Sequence, residues 1–499
     1  MLKDILKSLS CAVIVAALAV GMTACGDKTP NSSTPTSSEP SSSASSDISA
    51  PESTAADPTA TGDATSTAGN GTTTQNTKTQ NTKASTNTKA TSGQTTQPDN
   101  GVAPAKFRGT TFEYLTWSDT RQSGDTVNEE NKVFSDFEKA TGVTVKPTKI
   151  AYSTFDEQLA SRMSAGNIPD MIYLNGLMLT RMQYLQPISG LGYDFSDSKV
   201  WDQDTMKNYT VKGKSYGFNL TGSKTLMYRP KILCYNKAEL KKYELEDPYT
   251  LWKQGKWTMK KLISMSKTYY KKTGNPGYSV GSFWEYAQLQ GMQGAFAFDG
   301  TTVKNNLTEK KFSDTMGEVL DWKESGFLSS TLCDATRFDN GKQLFFSYNA
   351  SVMRDGNALF ANMKKKGQLG VAPMPTIDGQ STQYMLGEQS AYGVLKGAKN
   401  AELAPYFVKY YADKSHYNES KWFFSDEALA VYNESVSRKK LADTGFLAGQ
   451  YQTSSAMEYV ENEIFGGTKA QLAANIEMLG TNNVKPEIKR LEELLKNFS

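Results

Sequence analysis

The chain has 499 residues, too many for one compact core, yet only 38% of them are hydrophobic and the formal net charge is +3. Near charge balance without a Lys/Arg stripe excludes nucleic acid as an expected partner. The low apolar share comes from one long segment, and the remainder is rich in Tyr, Phe and Trp, enough for two cored lobes with rings left for a binding surface.

Lys3 and Lys7 precede an apolar run from Cys11 to Gly21 that is too short to span a bilayer as a mature helix and reads as the core of a signal peptide. Export follows. Met22-Thr23-Ala24-Cys25 resembles a bacterial lipobox, with Met22 in place of the usual Leu, and the resemblance implies that Cys25 is lipidated and becomes the new N-terminus. The alternative is an ordinary secretory signal in which Cys25 is incidental. From Asp27 to about Pro104 there is no aromatic residue and no Leu. Such a segment buries too little apolar surface to offset its ordering entropy, which predicts a flexible tether with a root-mean-square reach of about 50 Å. The Gln-Asn-Thr-Lys echoes between Thr74 and Lys89 read as local duplication within low complexity.

Beyond the tether, Phe112 and Tyr114 alternate with polar neighbours over Thr111 to Trp117, which predicts a first strand. Val127, Phe134 and Phe137 mark a helix closed by Gly142, and Val143 and Val145 start a second strand. The stretch from Ser153 to Gly176 is the most informative. Thr154 and Glu157 have capping-box spacing, and Phe155, Leu159 and Met163 recur every fourth residue on one helix face. Gly166 suits a left-handed C-cap and Pro169 bars continuation, so 170–174 reads as a short buried strand ending at Asn175-Gly176. Ligands in open α/β sheets sit outside the carboxyl ends of the strands, so Asn175 is expected to face a crevice; the alternative is a plain turn. Strand, helix, strand, helix, strand predicts a mainly parallel sheet with helices on both faces. Further helices are expected around Thr258 to Tyr270 and Phe312 to Lys323, and Ile488, Leu491, Leu495 and Phe498 give the last helix an apolar stripe.

The chemistry of catalysis is mostly missing. The one histidine, His416, lies in a polar run beyond a Tyr-rich helix and supports no triad. Gly213-Lys214-Ser215 is no phosphate loop, because Asn208 stands where the required glycine belongs and a Tyr-Gly turn follows. No Cys/His cluster has zinc spacing and no loop has the calcium-binding pattern, so neither metal nor cofactor is expected. Cys234 and Cys333 either pair as a disulfide in an exported protein or remain buried thiols. A glycosidase needs paired carboxylates, and Asp119, Glu285, Asp355 and Glu388 are available, with nothing in the sequence to fix their separation.

A series of motifs carries a resemblance over most of the chain after Phe107. It begins with FSDFEKATGVTVK (Phe134 to Lys146) and the Gly-x-x-Pro-Asp of Gly166 to Asp170, followed by KGKSYGFN (Lys212 to Asn219) and CYNKAELKKYELEDP (Cys234 to Pro248). It continues through GKWTMKKL (Gly255 to Leu262), FDNGKQLFF (Phe338 to Phe346), GVAPMP (Gly370 to Pro375) and YGVLKGAKNAELAPYFVKYYAD (Tyr392 to Asp413). In order and spacing these resemble the extracellular solute-binding proteins that feed ABC importers, in particular the large sugar-binding group that includes maltose-binding protein.

The resemblance implies an α/β, two-lobe periplasmic-binding-protein-like fold of type II, each lobe a mainly parallel sheet flanked by helices. Hinge strands are implied near Phe218 to Tyr228, Gly370 to Pro375 and Ser415 to Asn418. A signal peptide at 1–24 and a lipidated tether at 25–104 would precede lobe 1 (105–222 and 376–416) and lobe 2 (223–375 and 417–499). The implied function is capture of a carbohydrate between the lobes and its delivery to membrane-embedded permease subunits, without catalysis, from the extracytoplasmic face of a membrane that Cys25 anchors. Trp117, Asp119, Asn175, Trp284, Glu285 and Glu388 fall on segments that the family brings to its cleft and are the expected ligand contacts. Trp284 reads equally well as a core residue, and Trp117 carries the same alternative. A secreted glycan-active enzyme and a surface adhesin or sensor module are the other readings.

Overall fold

The computed structural model describes residues 103–117, 125–221, 228–354, 357, 359–414, 423–442, 444 and 454–498. Cys25, the tether as far as residue 102, Asp119, Asp355, His416, residues 222–227 of the hinge expected over Phe218 to Tyr228 and the whole hinge expected at Ser415 to Asn418 lie outside the described residues, as does the side chain of Glu388.

In chain order, β1 (Thr111–Thr116), α1 (Asp125–Thr141), β2 (Thr144–Lys149), α2 (Phe155–Ser164) and β3 (Met171–Leu174) alternate as the periodicity requires. Gly166 takes φ +72 after α2, so the chain reverses into β3 where Pro169 forbids more helix. The capping box does not form. Residues 152–154 are a 3₁₀ turn, and the Thr154 hydroxyl accepts from Gln158 Nε2 at 2.7 Å instead of a backbone N–H. After α3 (Leu179–Met182) and α4 (Gln203–Asn208), the Gly213-Lys214-Ser215 stretch belongs to a hairpin of β4 (Thr210–Val211) and β5 (Lys214–Ser215).

The long β6 (Tyr228–Asn236) opens the second sheet and leads into α5 (Lys237–Lys242), α6 (Pro248–Lys253), α7 (Met259–Thr273), β7 (Tyr278–Ser279) and α8 (Glu285–Leu289). Next come a hairpin of β8 (Phe296–Phe298) and β9 (Val303–Asn305), then α9 (Lys310–Glu324), α10 (Ala335–Asp339), β10 (Phe345–Asn349), α11 (Ala361–Lys365) and β11 (Leu369–Pro373). The chain continues through β12 (Tyr384–Met385), β13 (Gly387–Gln389), β14 (Ala391–Val394), α12 (Ala404–Lys414), α13 (Asp426–Ser437) and β15 (Lys439–Lys440). It closes with α14 (Ser454–Gly466), α15 (Leu472–Leu479) and α16 (Lys485–Leu495).

The first sheet has the order β14-β3-β1-β2, with β1 parallel to both β2 and β3 and only β14 reversed. The second has the order β11-β6-β10-β7, with β13 also on β6. It is mixed, not mainly parallel. β7, β10 and β11 share one direction while β6 runs against its neighbours. Alternation along β6 sends Leu233 and Tyr235 into one apolar cluster and Ile232 and Cys234 into another. Cys234 and Cys333 are both thiols and no disulfide joins them, so that alternative is not realised, and burial pushes the Cys234 thiol up.

The second crossing comes later than residue 376. Thr376 N–H donates to Trp257 O, Gln380 Nε2 donates to Leu289 O, β12 pairs with β15 and β13 pairs with the head of β6, so 376–389 remain with the second sheet. Only at Ser390 does the chain pass to β14 and the first sheet, where α12 lays Phe407 against Phe112, Phe134 and Phe137.

Candidate functional site

The strand directions bring two groups of side chains, a first and a second wall, to the carboxyl ends of the two sheets. In the first sheet β1, β2 and β3 end at the side where Trp117, Tyr152 and Asn175 follow them. In the second, β7 and β10 end beside the head of β6, where Lys231 pairs with Asn349. The segment β13–Ser390–β14 links the two, with Gly387–Gln389 on Tyr228–Pro230 and Ala391 opposite Leu174. Two sets of carboxyl strand ends therefore flank one crossing strand, which is where ligands bind in open α/β sheets.

The first wall is aromatic. The half-buried Trp117 ring lies 4.7 Å from Tyr173 and 5.3 Å from Tyr152. Arg181, 0% exposed, holds its guanidinium 4.3 Å from the Phe155 ring and 5.8 Å from Trp117, and it is neutralised by an ion pair with Asp156. Asn175 is 6% exposed; its Nδ2 donates to Tyr152 OH at 2.7 Å, and no hydrogen-bond donor meets its Oδ1. Tyr173 OH donates to Ser390 Oγ, fastening this wall to the crossing strand.

The second wall is polar. Glu285, 1% exposed, takes Lys231 Nζ at 2.6 Å and Gly281 N–H at 3.0 Å on Oε1, and Ser347 Oγ at 2.6 Å on Oε2. Gly281 N–H is shared with Ser347 Oγ at 2.8 Å. Glu461, from α14, receives Ser282 Oγ at 2.7 Å and Phe283 N–H on its Oε1. Burial alone would push Lys231 down, but the Glu285 carboxylate beside it outweighs that and holds it above the ordinary lysine value. Burial pushes the Glu461 carboxyl up, and the bonds from Ser282 and Phe283 offset only part of that rise.

Of the expected contacts, Trp117 and Asn175 stand together on the first wall. Glu285 lies at the second wall but its carboxylate is committed to groups of its own lobe. Trp284 is 7% exposed and packs 5.1 Å from Phe283 and 5.6 Å from Phe312, so the structure gives it the core role that the sequence left open. The backbone of Glu388 lies on the crossing strand opposite Arg229, and Asp119 is outside the described residues. Sequence reasoning missed Tyr152, Tyr173, Arg181, Lys231 and Glu461. Tyr152, three residues beyond the end of β2, carried a signal of position; Glu461, 179 positions from the Ser282 it binds, carried none. Among the described residues, no group of His, Cys, Asp and Glu side chains is arranged to hold a metal ion.

No curated protein sequence matches the chain. Solved structures that share the fold include a cyclic α-maltosyl-1,6-maltose binding protein from Arthrobacter globiformis (12% identity, 78% of this chain and 100% of that one, TM-score 0.53). Another is the galacto-N-biose/lacto-N-biose I-binding protein of an ABC transporter from Bifidobacterium longum (17% identity, 78% and 99%, TM-score 0.54). A third is the sugar-binding protein MalE from Xanthomonas citri (15% identity, 77% and 97%, TM-score 0.53). All three align over nearly their whole length, so the arrangement of two lobes around crossing strands is common to them and this chain. The profile of the family described as bacterial extracellular solute-binding protein matches residues 123–416, more than half of the chain, and the protein belongs to that family.

Proposed function

We propose that the protein captures a carbohydrate between its two lobes and hands it to the permease subunits of an ABC importer. The observation that carries this reading is the pairing of walls across the crossing strand: an aromatic face at Trp117, Tyr152 and Tyr173 with an unpartnered acceptor on Asn175, set against the polar face of Lys231, Glu285 and Glu461. Sugar rings present an apolar face for stacking and an edge of hydroxyls, and such a cleft meets both. The similar structures named above are sugar-binding proteins, which supports the same ligand class.

In this reading Trp117 and Asn175 touch the sugar, Asp119 and Glu388 join them from the β1 end and the crossing strand, and Trp284 and Glu285 support the second wall from beneath. Residues 105–221 and 391–416 would move as lobe 1, and 228–389 with the C-terminal helices as lobe 2. A ligand that touches both lobes binds the closed state better, and only that difference shifts the population towards closure. Cys25 would carry acyl chains that hold the protein on the membrane, with the tether giving the lobes reach.

Calorimetric titration against a glycan panel, with small-angle scattering on each sugar that binds, tests the reading. The expected result is binding together with compaction. Binding without compaction removes the closing cleft, and hydrolysis of the bound sugar replaces capture with catalysis.

A further inference from the structure

In the two-lobe reading the last helix belongs to one lobe and its tail touches the other. The C-terminal helices are built onto lobe 2: Glu461 on α14 accepts from Ser282, Lys323 Nζ donates to Phe465 O, and α16 packs on β9. Beyond α16 the chain meets lobe 1. Lys212 Nζ donates to Phe498 O at 3.0 Å, and the buried Phe498 ring lies 5.2 Å from Tyr216. Asn497 Nδ2 donates to Gln183 Oε1 at 2.7 Å, and Lys396 Nζ donates to Gln183 O at 2.9 Å and to Asn497 O at 3.4 Å.

Where these bonds lie decides what they do. The register of β14 sets Ala391 opposite Leu174 and Val394 opposite Met171, and Leu395 N–H donates to Asp170 O, so Lys396 stands at the amino end of β3. Phe218 exchanges two backbone hydrogen bonds with Tyr392 in an antiparallel bridge, which carries Tyr216 towards the same end. Trp117 and Asn175 follow the carboxyl ends of their strands, and β3 spans the about 13 Å between the two places. The chain crosses between the sheets at Ser390, level with the carboxyl end, so the tail contacts lie on the far side of the crossing from the ligand walls. A rotation about Ser390 that brings the walls together draws the tail away from Gln183, Lys212, Tyr216 and Lys396. The buried ion pair of Asp202 and Lys440, at 2.8 Å, also joins the lobes. Asp202 N–H donates to Asn219 O and Asn219 Nδ2 donates to Ser390 O, which places that pair beside the pivot, where a rotation moves atoms least.

We infer that Asn497 and Phe498 form a strap that holds the lobes apart, so that part of the ligand's binding free energy goes into releasing it. The inference rests on the carbohydrate-capture reading and adds to it the element that sets the affinity. Only molecules free to close bind tightly, so weakening the strap raises the apparent affinity and fastening it lowers the affinity. A contact that merely supports the fold behaves differently, since its loss weakens binding or leaves it unchanged.

The test uses the full chain with Lys212→Met and Asn497→Ala, singly and combined; both side chains are exposed, so neither change opens the core. Both variants should melt near the wild-type temperature. Calorimetric titration with the sugar that binds the wild type should show about 5-fold tighter binding for each, the loss of one hydrogen bond, and scattering without ligand should give a smaller radius of gyration. A bis-maleimide bridge between Gln183→Cys and Asn497→Cys, in a Cys333→Ser background, makes the reverse change: the bridged protein should bind at least about 10-fold more weakly than the unbridged one and fail to compact with ligand. Unchanged affinity and radius in the combined variant overturns the strap, as does weaker binding at an unchanged melting temperature. Full compaction of the bridged protein overturns it too. If no sugar binds the wild type, the carbohydrate reading falls, and the radius of the combined variant without ligand still decides the strap: a smaller one supports it and an unchanged one overturns it.

Discussion

The Lys231 ammonium rests 2.6 Å from the Glu285 carboxylate at the place where β6 leaves the crossing region and the β7 loop folds back over it. Removing one partner of a buried pair leaves the other charge uncompensated, so Lys231→Met should destabilise the folded part by about 3–5 kcal/mol, measured by urea unfolding. The pair also sets an alkaline limit. The folded protein holds Lys231 above its ordinary value, so this stabilisation is complete below the ordinary lysine range and is lost as pH rises through the raised value. Unfolding followed between neutral and strongly alkaline pH should show that loss in the wild type and a shallower one in Lys231→Met. An identical alkaline slope in both proteins would assign it to other groups.

The two tryptophans should separate binding from stability. Trp117 is half-buried on the aromatic wall, and Trp117→Ala should weaken sugar binding by about 1–3 kcal/mol, the range for burying a large apolar side chain, at nearly unchanged melting temperature. Trp284 lies in the core, and Trp284→Ala should cost about 3–5 kcal/mol of stability. Calorimetry and thermal unfolding of the two variants decide the matter, and a stable Trp284→Ala protein with lost affinity would return Trp284 to the cleft.

Gly387 opens β13 at φ +113, and a Cβ there would meet the Arg229 carbonyl oxygen at 2.2 Å. Neither the backbone angle nor the space admits a side chain, so Gly387→Ala should destabilise by at least about 1–3 kcal/mol, and the damage should fall on the crossing strand. Hydrogen exchange is the suitable measurement. Faster exchange confined to 384–394 and the head of β6 is expected, and wild-type protection there would contradict the crossing geometry.

Membrane attachment should depend on one thiol. If Cys25 carries the proposed acyl chains, Cys25→Ala should release the protein into the soluble extracytoplasmic fraction and abolish incorporation of a fatty-acid probe, because acyl chains on that thiol would be what holds the chain on the bilayer. Unchanged labelling in the variant would exclude lipidation at Cys25.

Local features of this chain were legible because their causes are local. Gly166 and Pro169 end α2 and start β3 by their own backbone preferences, and Phe155 and Leu159 face the core because their spacing matches the helix period. The first sheet follows from alternating strands and helices, since a parallel neighbour requires a crossover between the strands. Asn175 could be placed at a strand end, and hence at a crevice, for the same reason. What the tertiary structure decided concerns partners distant in sequence. Gly387–Gln389 stay with the second sheet because Tyr228–Pro230 offer an open ladder, which no property of residues 376–389 announces. An indole reads alike as a stacking platform or a core residue, and only Phe312 on α9 settles that Trp284 is core. Glu285 and Glu461 are both carboxylates near one turn, yet Lys231, Gly281 and Ser347 engage both oxygens of the first while Ser282 and Phe283 meet one oxygen of the second, because hydrogen bonds between distant segments form only once folding has brought the strand ends together.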